Sequence, residues 1–348
     1  MGDHDPLVVA SPYGPAAPST RVRVYEWLDH LGLTAERLEY AGLGRNGLGT
    51  LVRHPLAAAR AELATRRVTT RLDDSILFLS REASPFSRGG LEGGLLAAAR
   101  RGVYDLDDAL FADRDGWRRL LAKEPKCRRS IQAADHVIVG NEYLAEYASE
   151  LTDALTVIPT CVEPSAYRPT TSYDIPDEPT LVWLGSPSTE PYLEQIGPAL
   201  REVHRQRRAR VVVISGPRAH GAPEFSDFVQ RVPWSPDGVA AVLSQADVAL
   251  GPLPDDPYTR GKCAYKILQY AATGLPFVAS PVGANAPAIS RLGGVAATTT
   301  DEWVEALIGL IDAPTTERRD RGAAALRGVH DHYSFDAWAD AWGKAVGL

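Results

Sequence analysis

Lys262 and Lys266 are the residues whose type and spacing speak most directly of chemistry. Only five of the 37 basic residues are lysines, at 123, 126, 262, 266 and 344. Two of these stand four residues apart within DVALGPLPDDPYTRGKCAYKILQYAATGLPFVASPVG, residues 247–283. The stretch opens with a short apolar strand, Val248 to Leu250, and continues into an acidic loop bounded by prolines. The pattern then predicts a helix from about Lys262 to Gly274 and a second strand from Phe277 to Ala279. On that helix Ala264, Ile267, Leu268 and Ala271 share an apolar face, with Lys262, Lys266 and Gln269 on the other. A helix start is the wrong end for a cation unless an anion is bound there. Free N–H groups, the positive end of the dipole and two ammonium groups together suit a phosphate or diphosphate. An ordinary solvated helix face is the competing reading.

Other polar clusters also follow apolar runs. After Leu181–Leu184 come Gly185, which permits a tight turn, and Ser186, Ser188 and Thr189. Their hydroxyls and N–H groups form a second anion cradle or a plain helix cap. Arg81 and Glu82 follow the run Ser75–Ser80, and Asp107 and Asp108 follow Val103-Tyr104. Glu82 and Asp107 are candidate acid–base groups, and Arg81 and Asp108 stand beside them at the same strand ends. Turn formation and capping, or a metal site for the acids of D-L-D-D, compete with those roles. Gly14 lies in the loop after Leu7–Ala10. Arg21 and Arg23 fall in the first turn of a helix capped by Ser19 or Thr20, either reaching solvent or contacting a donor phosphate or an acidic acceptor. Trp234, at the end of Val229–Trp234, either stacks on a base or packs the domain. Residues 41–50, AGLGRNGLGT, are glycine-rich without G-x-G-x-x-G spacing, so they give no dinucleotide fingerprint.

All these candidates need strands that end at one edge, because open α/β sheets bind ligands beyond the carboxyl ends of their strands. A chain of 348 residues exceeds one ordinary core, which predicts two domains. Strands alternating with helices predict an α/β fold of two doubly wound, Rossmann-like domains facing across a cleft. Their expected bounds are residues 1–168 and 180–332, joined by a proline-bearing linker at 169–179. Helices are expected at 57–67, 116–134, 240–245, 300–312 and 315–331. Ala288–Arg291 and Gly294–Ala297 are expected to complete the second sheet. A last helix, 333–348, places Phe335, Trp338 and Trp342 on one face.

The stretch A-A-T-G-L-P-F-V-A-S resembles the nucleotide-binding segment of group 1 retaining glycosyltransferases of the GT-B fold, the family-4-like enzymes that use sugar nucleotides. Most of them place two glutamates, with seven residues between them, ahead of this segment. Here those positions read Gly261 and Gln269, and G-K-C-A-Y-K-I-L-Q-Y is similar to a subgroup with that replacement. A-D-H-V-I-V-G-N and V-I-P-T-C-V-E resemble the end of the family's first domain, and R-E-x-x-P with the acids after it resembles the same subgroup. The resemblance implies a donor site built from Gly185, Ser186, Ser188, Thr189, Trp234, Lys262, Lys266 and Gln269. It places Asp107 where many members carry a histidine near the reacting sugar, orienting or deprotonating the acceptor, with Glu82 and Lys262 as further catalytic candidates and Gly14, Arg21, Arg81 and Asp108 on the acceptor side. It implies that the final helix crosses back to the first domain and that no metal or other cofactor is needed. The expected reaction is transfer of a hexose-type sugar from a nucleoside diphosphate sugar to an acceptor, a hydroxyl, with retention of configuration. With no clear carboxylate nucleophile, attack on the face of the departing diphosphate is expected, and Lys262 and Lys266 would stabilise that leaving group. A sugar-nucleotide epimerase or hydrolase on the same fold, and a sugar-nucleotide-binding protein without catalysis, are the alternatives.

Net charge is −7 and the isoelectric point about 5.7, which argues against a broad nucleic-acid surface. The three cysteines, Cys127, Cys161 and Cys263, share no metal-ligand spacing, and a reducing cytoplasm is the expected location. No run approaches the roughly 18 apolar residues of a membrane span. The expected partners are the donor and an acceptor that is a small molecule, a glycan or a lipid-linked sugar.

Overall fold

Runs rich in valine, isoleucine and leucine become the strands of two wholly parallel sheets. The structure is a computed structural model describing residues 6–12, 14, 17–40, 54–112, 123–217 and 226–348. The glycine-rich 41–50 stretch and the first part of the helix expected at 116–134 lie outside these residues. The first sheet contains β1 (Leu7–Ser11), β2 (Glu36–Glu39), β3 (Ile76–Ser80), β4 (Arg101–Leu106), β5 (His136–Val139) and β6 (Leu155–Val157), in the order β2-β1-β3-β4-β5-β6. The second contains β7 (Thr180–Leu184), β8 (Arg210–Ser215), β9 (Val229–Pro233), β10 (Val248–Gly251), β11 (Phe277–Ala279) and β12 (Val295–Ala296), in the order β12-β11-β10-β7-β8-β9. Every residue of β1, β3, β10 and β11 is buried, as expected of parallel strands covered on both faces.

Strand order fixes where a ligand can enter. Successive strands are laid down in opposite directions from β1 and β3 in the first sheet and from β7 and β10 in the second. These are the topological switch points, where neighbouring loops diverge and leave a crevice.

The chain divides into two compact units. One comprises Met1–Cys161, Asp256–Cys263 and Trp338–Leu348; the other comprises Val162–Asp255 and Ala264–Ala337. The segment expected as a linker, residues 169–179, has no regular element and bonds within the second unit. Thr170 N donates to Thr273 O at 2.8 Å, and Tyr173 Oη donates to Gly274 O at 3.0 Å. The final helix is Phe335–Val346. Trp342 stacks on Trp27 of the first unit at 5.2 Å, and Arg101 Nε donates to Val346 O at 3.0 Å. Among the described residues no helix is long and apolar enough to cross a membrane.

Three local expectations are corrected. Ala288–Arg291 belongs to a helix, Asn285–Arg291; Ala288 and Ile289 supply its buried side, which a short apolar run cannot distinguish from a strand. Ser19 and Thr20 lie inside the first helical turns and do not cap them, because the N-cap is Ala17. The helix expected from Lys262 begins at Tyr265 and ends at Ala272, with Ala264 in a left-handed conformation ahead of it. Lys262 is extended, at φ −72° and ψ 145°, so the two lysines do not share a helix face.

Candidate active site

In the second unit Gly185, Ser186, Ser188, Thr189 and Lys266 meet at the carboxyl end of β7, one of the two switch-point strands. Ser186 and Thr189 close a reciprocal cap over the turn Pro187–Thr189; Ser186 N donates to Thr189 Oγ1 at 3.2 Å, and Ser188 Oγ lies 2.9 Å from Ser186 Oγ. Lys266, at the start of helix Tyr265–Ala272, brings Nζ to 3.2 Å from Thr189 Oγ1. The same ammonium stands 4.3 Å from the centroid of the Trp183 ring, an indole fully buried in β7. Gly185 makes the room: a β-carbon there would lie 2.8 Å from Nζ and overlap the indole. A cation held over an aromatic face beside three hydroxyls is a fitting partner for an anion. Sequence patterns had assigned Lys266 and the turn but not Trp183.

Tyr270, one turn further along the helix, shapes the crevice itself. Strands β7 and β10 pair at Val248↔Leu181 and Ala249↔Val182. At the carboxyl edge the Tyr270 hydroxyl stands between them, accepting from Leu184 N at 3.0 Å and donating to Leu250 O at 3.1 Å. The wedge satisfies two buried backbone groups while the strands part. Trp234, 39% exposed, follows β9, and its backbone N–H donates to Ser215 O at 3.1 Å. Gln269 is buried in the helix.

The first unit places charge at the carboxyl ends of β3 and β4. Arg81 has a left-handed backbone, φ 66°. Its Nη1 donates to Ser19 Oγ at 2.7 Å, Nη2 lies 3.0 Å from Asp108 Oδ2, and Nε lies 3.6 Å from Asp107 Oδ1. That Asp107 oxygen is buried without a hydrogen-bond partner. Burial raises the Asp107 carboxyl above the usual aspartate range; nearby Arg81 opposes the shift, and Asp108 and Asp105 reinforce it. Gly14 O accepts from Ala17 N in the neighbouring loop.

Three readings of the sequence change here. Arg23 does not reach solvent: it is buried, pairs with Asp105 at 2.5 Å and donates to Ile158 O at 2.8 Å. Arg21 pairs with Glu26. Glu82, expected as a catalytic group, forms a buried ion pair with Lys126 at 2.5 Å, and Lys126 also donates to Ser84 O at 2.6 Å. An acid held this way orders the loop after β3 and is not available to a substrate.

Residues 256–263 also dock in the first unit. Asn141 caps the helix Glu142–Ser149 through its Oδ1, and its Nδ2 donates to Arg260 O and Lys262 O at 3.3 and 3.1 Å. Cys263 Sγ donates to Asp107 O at 3.1 Å. The approach is close enough to require glycine on both sides. A β-carbon at Gly140 would overlap Cys263 Sγ, and one at Gly261 would stand 2.5 Å from Ala109 N. Gly261 therefore occupies a glutamate position of the resembled family for a steric reason. Lys262 Nζ lies 3.5 Å from Asp108 Oδ1 and 4.7 Å from the Tyr258 ring centroid.

Residues 178–313, which span this second-unit cradle, match the family Glycosyl transferases group 1. No curated protein matches the chain. Among solved structures the chain is similar to Anabaena HepE, crystallised with UDP and glucose, at TM-score 0.70 and 11% identity over 99% of this chain and 100% of that one. It is also similar to a UDP-forming α,α-trehalose-phosphate synthase from Burkholderia vietnamiensis, at TM-score 0.65 and 12% identity over 99% and 97% of the two chains. A third is WaaG, a glycosyltransferase involved in lipopolysaccharide biosynthesis, at TM-score 0.66 and 13% identity over 98% and 100%. The fold is thus that of GT-B glycosyltransferases, and glycosyl transfer is the activity of the matched domain family.

Proposed function

We propose that the protein transfers a hexose-type sugar from a nucleoside diphosphate sugar to an acceptor hydroxyl, with retention of configuration. The observation that carries the reading is the Lys266 ammonium, held over Trp183 beside Thr189 at the carboxyl end of a switch-point strand. In this reading the diphosphate lies against the Gly185–Thr189 turn and Lys266, and Trp234 and Gln269 contact the nucleoside. Negative charge grows on the diphosphate as the glycosidic bond breaks, and a preplaced ammonium lowers the barrier because it need not reorganise. Lys262 serves differently from Lys266: beside Asp108 it orders the first unit's charged edge, where Arg81, Asp107 and Asp108 handle the acceptor. Asp107, raised by burial, is the group that accepts the acceptor's proton.

UDP in the HepE structure makes uridine the first base to test. Titration calorimetry with UDP, GDP, ADP, CDP and TDP on the wild type and Lys266→Ala decides the point. The expected result is micromolar binding of one diphosphate and its loss in the variant. Binding of none of the five, or undiminished binding to the variant, would reject the assignment.

A further inference from the structure

The chain leaves β3 through a strained turn. Glu82 N donates to Ser80 O at 2.9 Å, which makes Arg81 the middle residue of a three-residue turn. Its φ of 66° belongs to the rare sense of that turn, which residues with a β-carbon seldom adopt. Such conformations persist only where their surroundings hold them, and they cluster at functional sites. Here the holders are buried polar side chains. Tyr104, wholly buried in β4, donates its hydroxyl to Arg81 O at 2.9 Å. Burial raises that phenol well above the ordinary tyrosine range, so it stays a donor. Arg81 N in turn donates to Asp105 O at 3.0 Å.

The residues after Arg81 are fastened to two helices. Lys126 of Lys123–Ala133, 1% exposed, bonds both Glu82 and Ser84 O. Glu92 of Gly90–Ala98, also buried, accepts from Ala83 N at 3.1 Å and Ser84 N at 3.2 Å. Replacing a buried ion pair by apolar groups is often neutral or stabilising, so stability alone does not account for Lys126 and Glu82. What the turn delivers is the Arg81 guanidinium, 3.0 Å from Asp108 and 3.6 Å from Asp107.

We infer that Tyr104 and Lys126 are positioning residues of the acceptor edge: by holding the turn at Arg81 they fix its guanidinium against Asp107 and Asp108. The inference rests on the proposed function only for the role of Asp107 as the acceptor's base. Without these holders Arg81 relaxes toward an ordinary backbone and carries its charge away from Asp107. Among the described residues Asp107 is faced by Arg81, Arg23, Asp105, Asp108 and Cys263, with Lys262 beside Asp108. Arg81 is the cation that most opposes the effect of burial on Asp107, so a displaced Arg81 shows in the titration of that carboxyl.

The test is the pH titration of Asp107 by carbon-13 NMR of the full chain labelled at the aspartate carboxyls, with Asp107→Asn identifying the signal. It needs neither donor nor acceptor, so its outcome is separate from that of the diphosphate calorimetry. Arg81→Gln should raise the midpoint by about one to three pH units. Tyr104→Phe, which removes one hydroxyl, should raise it by about half a pH unit or more. Lys126→Met alone leaves Glu82 buried without its partner and threatens the fold. Lys126→Met with Glu82→Gln removes both charges and should act like Tyr104→Phe. In the Arg81→Gln background neither change should move Asp107 further. Tyr104→Phe or the paired variant titrating like the wild type would overturn the inference, because a purely structural role leaves Asp107 unmoved. An equal shift with and without Arg81 would also overturn it, since the effect would then bypass the turn.

Discussion

At the carboxyl edge of the first sheet, acids and bases are matched and mostly withdrawn from water: Arg23 with Asp105, Arg81 with Asp107 and Asp108, and Lys262 with Asp108. At the corresponding edge of the second, the described residues set the Lys266 ammonium beside hydroxyls and an indole, with the Glu190–Arg231 pair next to the turn. The two sheets share a strand count and a parallel sense but not an order, and their switch points differ accordingly. In the first, charged side chains fill the space beyond the strands and bind one another. In the second, glycine and short hydroxyl residues leave it open and Tyr270 parts the strands. A balanced edge can hold and orient a neutral hydroxyl compound, whereas an edge with a placed cation favours an anion. In the proposed reading the first edge is the acceptor side and the second the diphosphate side. Each edge also carries one left-handed residue other than glycine, Arg81 and Ala264, where backbone strain is held in place by the surrounding fold.

Breaking the comparison where it is strongest gives the largest effects. Arg23→Met leaves Asp105 buried without its partner and should cost about 3–5 kcal/mol of stability, read as a fall in the denaturant midpoint. If Arg23→Met is neutral, the first edge is not held by its ion pairs. In the second sheet Lys266→Ala should slow turnover by about two to three orders of magnitude, equivalent to about 3–4 kcal/mol, at saturating donor. Lys262→Ala should slow it less, and a reversal of that order would return Lys262 to the donor side.

Two substitutions probe how the edges are built. Gly261→Glu restores a residue type usual in the resembled family but drives a side chain against Ala109. It should destabilise by about 1–3 kcal/mol and fail to raise activity; a more active variant would show that the 256–263 segment docks otherwise. Tyr270→Phe removes a hydroxyl that serves both Leu184 N and Leu250 O. It should cost about 1–3 kcal/mol and raise KM for the donor more than it lowers kcat. An unchanged KM would make Tyr270 a core residue only.

Strand positions were legible because buried parallel strands read as short apolar runs: Phe277–Ala279 matches in both bounds. The strand-end rule likewise located Gly185–Thr189 and the Arg81 and Asp107 regions. What stayed hidden depends on partners distant in sequence. Arg23 reads as a solvated arginine until Asp105, 82 residues away, is placed beside it. Glu82 reads as a free acid until Lys126 is buried against it. The helix start at Tyr265 was missed because periodicity makes Ala264 the first residue of the apolar face, while its left-handed backbone excludes it from the helix.

Asp107 offers the finest test of the contrast, because it is the one acid of the first edge with a buried oxygen lacking a hydrogen-bond partner among the described residues. Burial raises its pKa in the folded state above that of the unfolded chain, with Arg81 partly opposing the shift. A raised acid binds its proton more tightly when folded. Its contribution therefore favours the fold at pH below the unfolded value near 4 and is lost as pH rises through the folded value. Asp107→Asn should remove that dependence, leaving the variant closer to wild type at acid pH than at neutral pH. If Asp107 accepts the acceptor's proton, turnover should also fall on the acid side as the carboxyl is protonated, and the asparagine variant should lose that limb along with most of its activity. A wild-type acid limb that survives the substitution would assign the proton to another group and leave the first edge an orienting surface only.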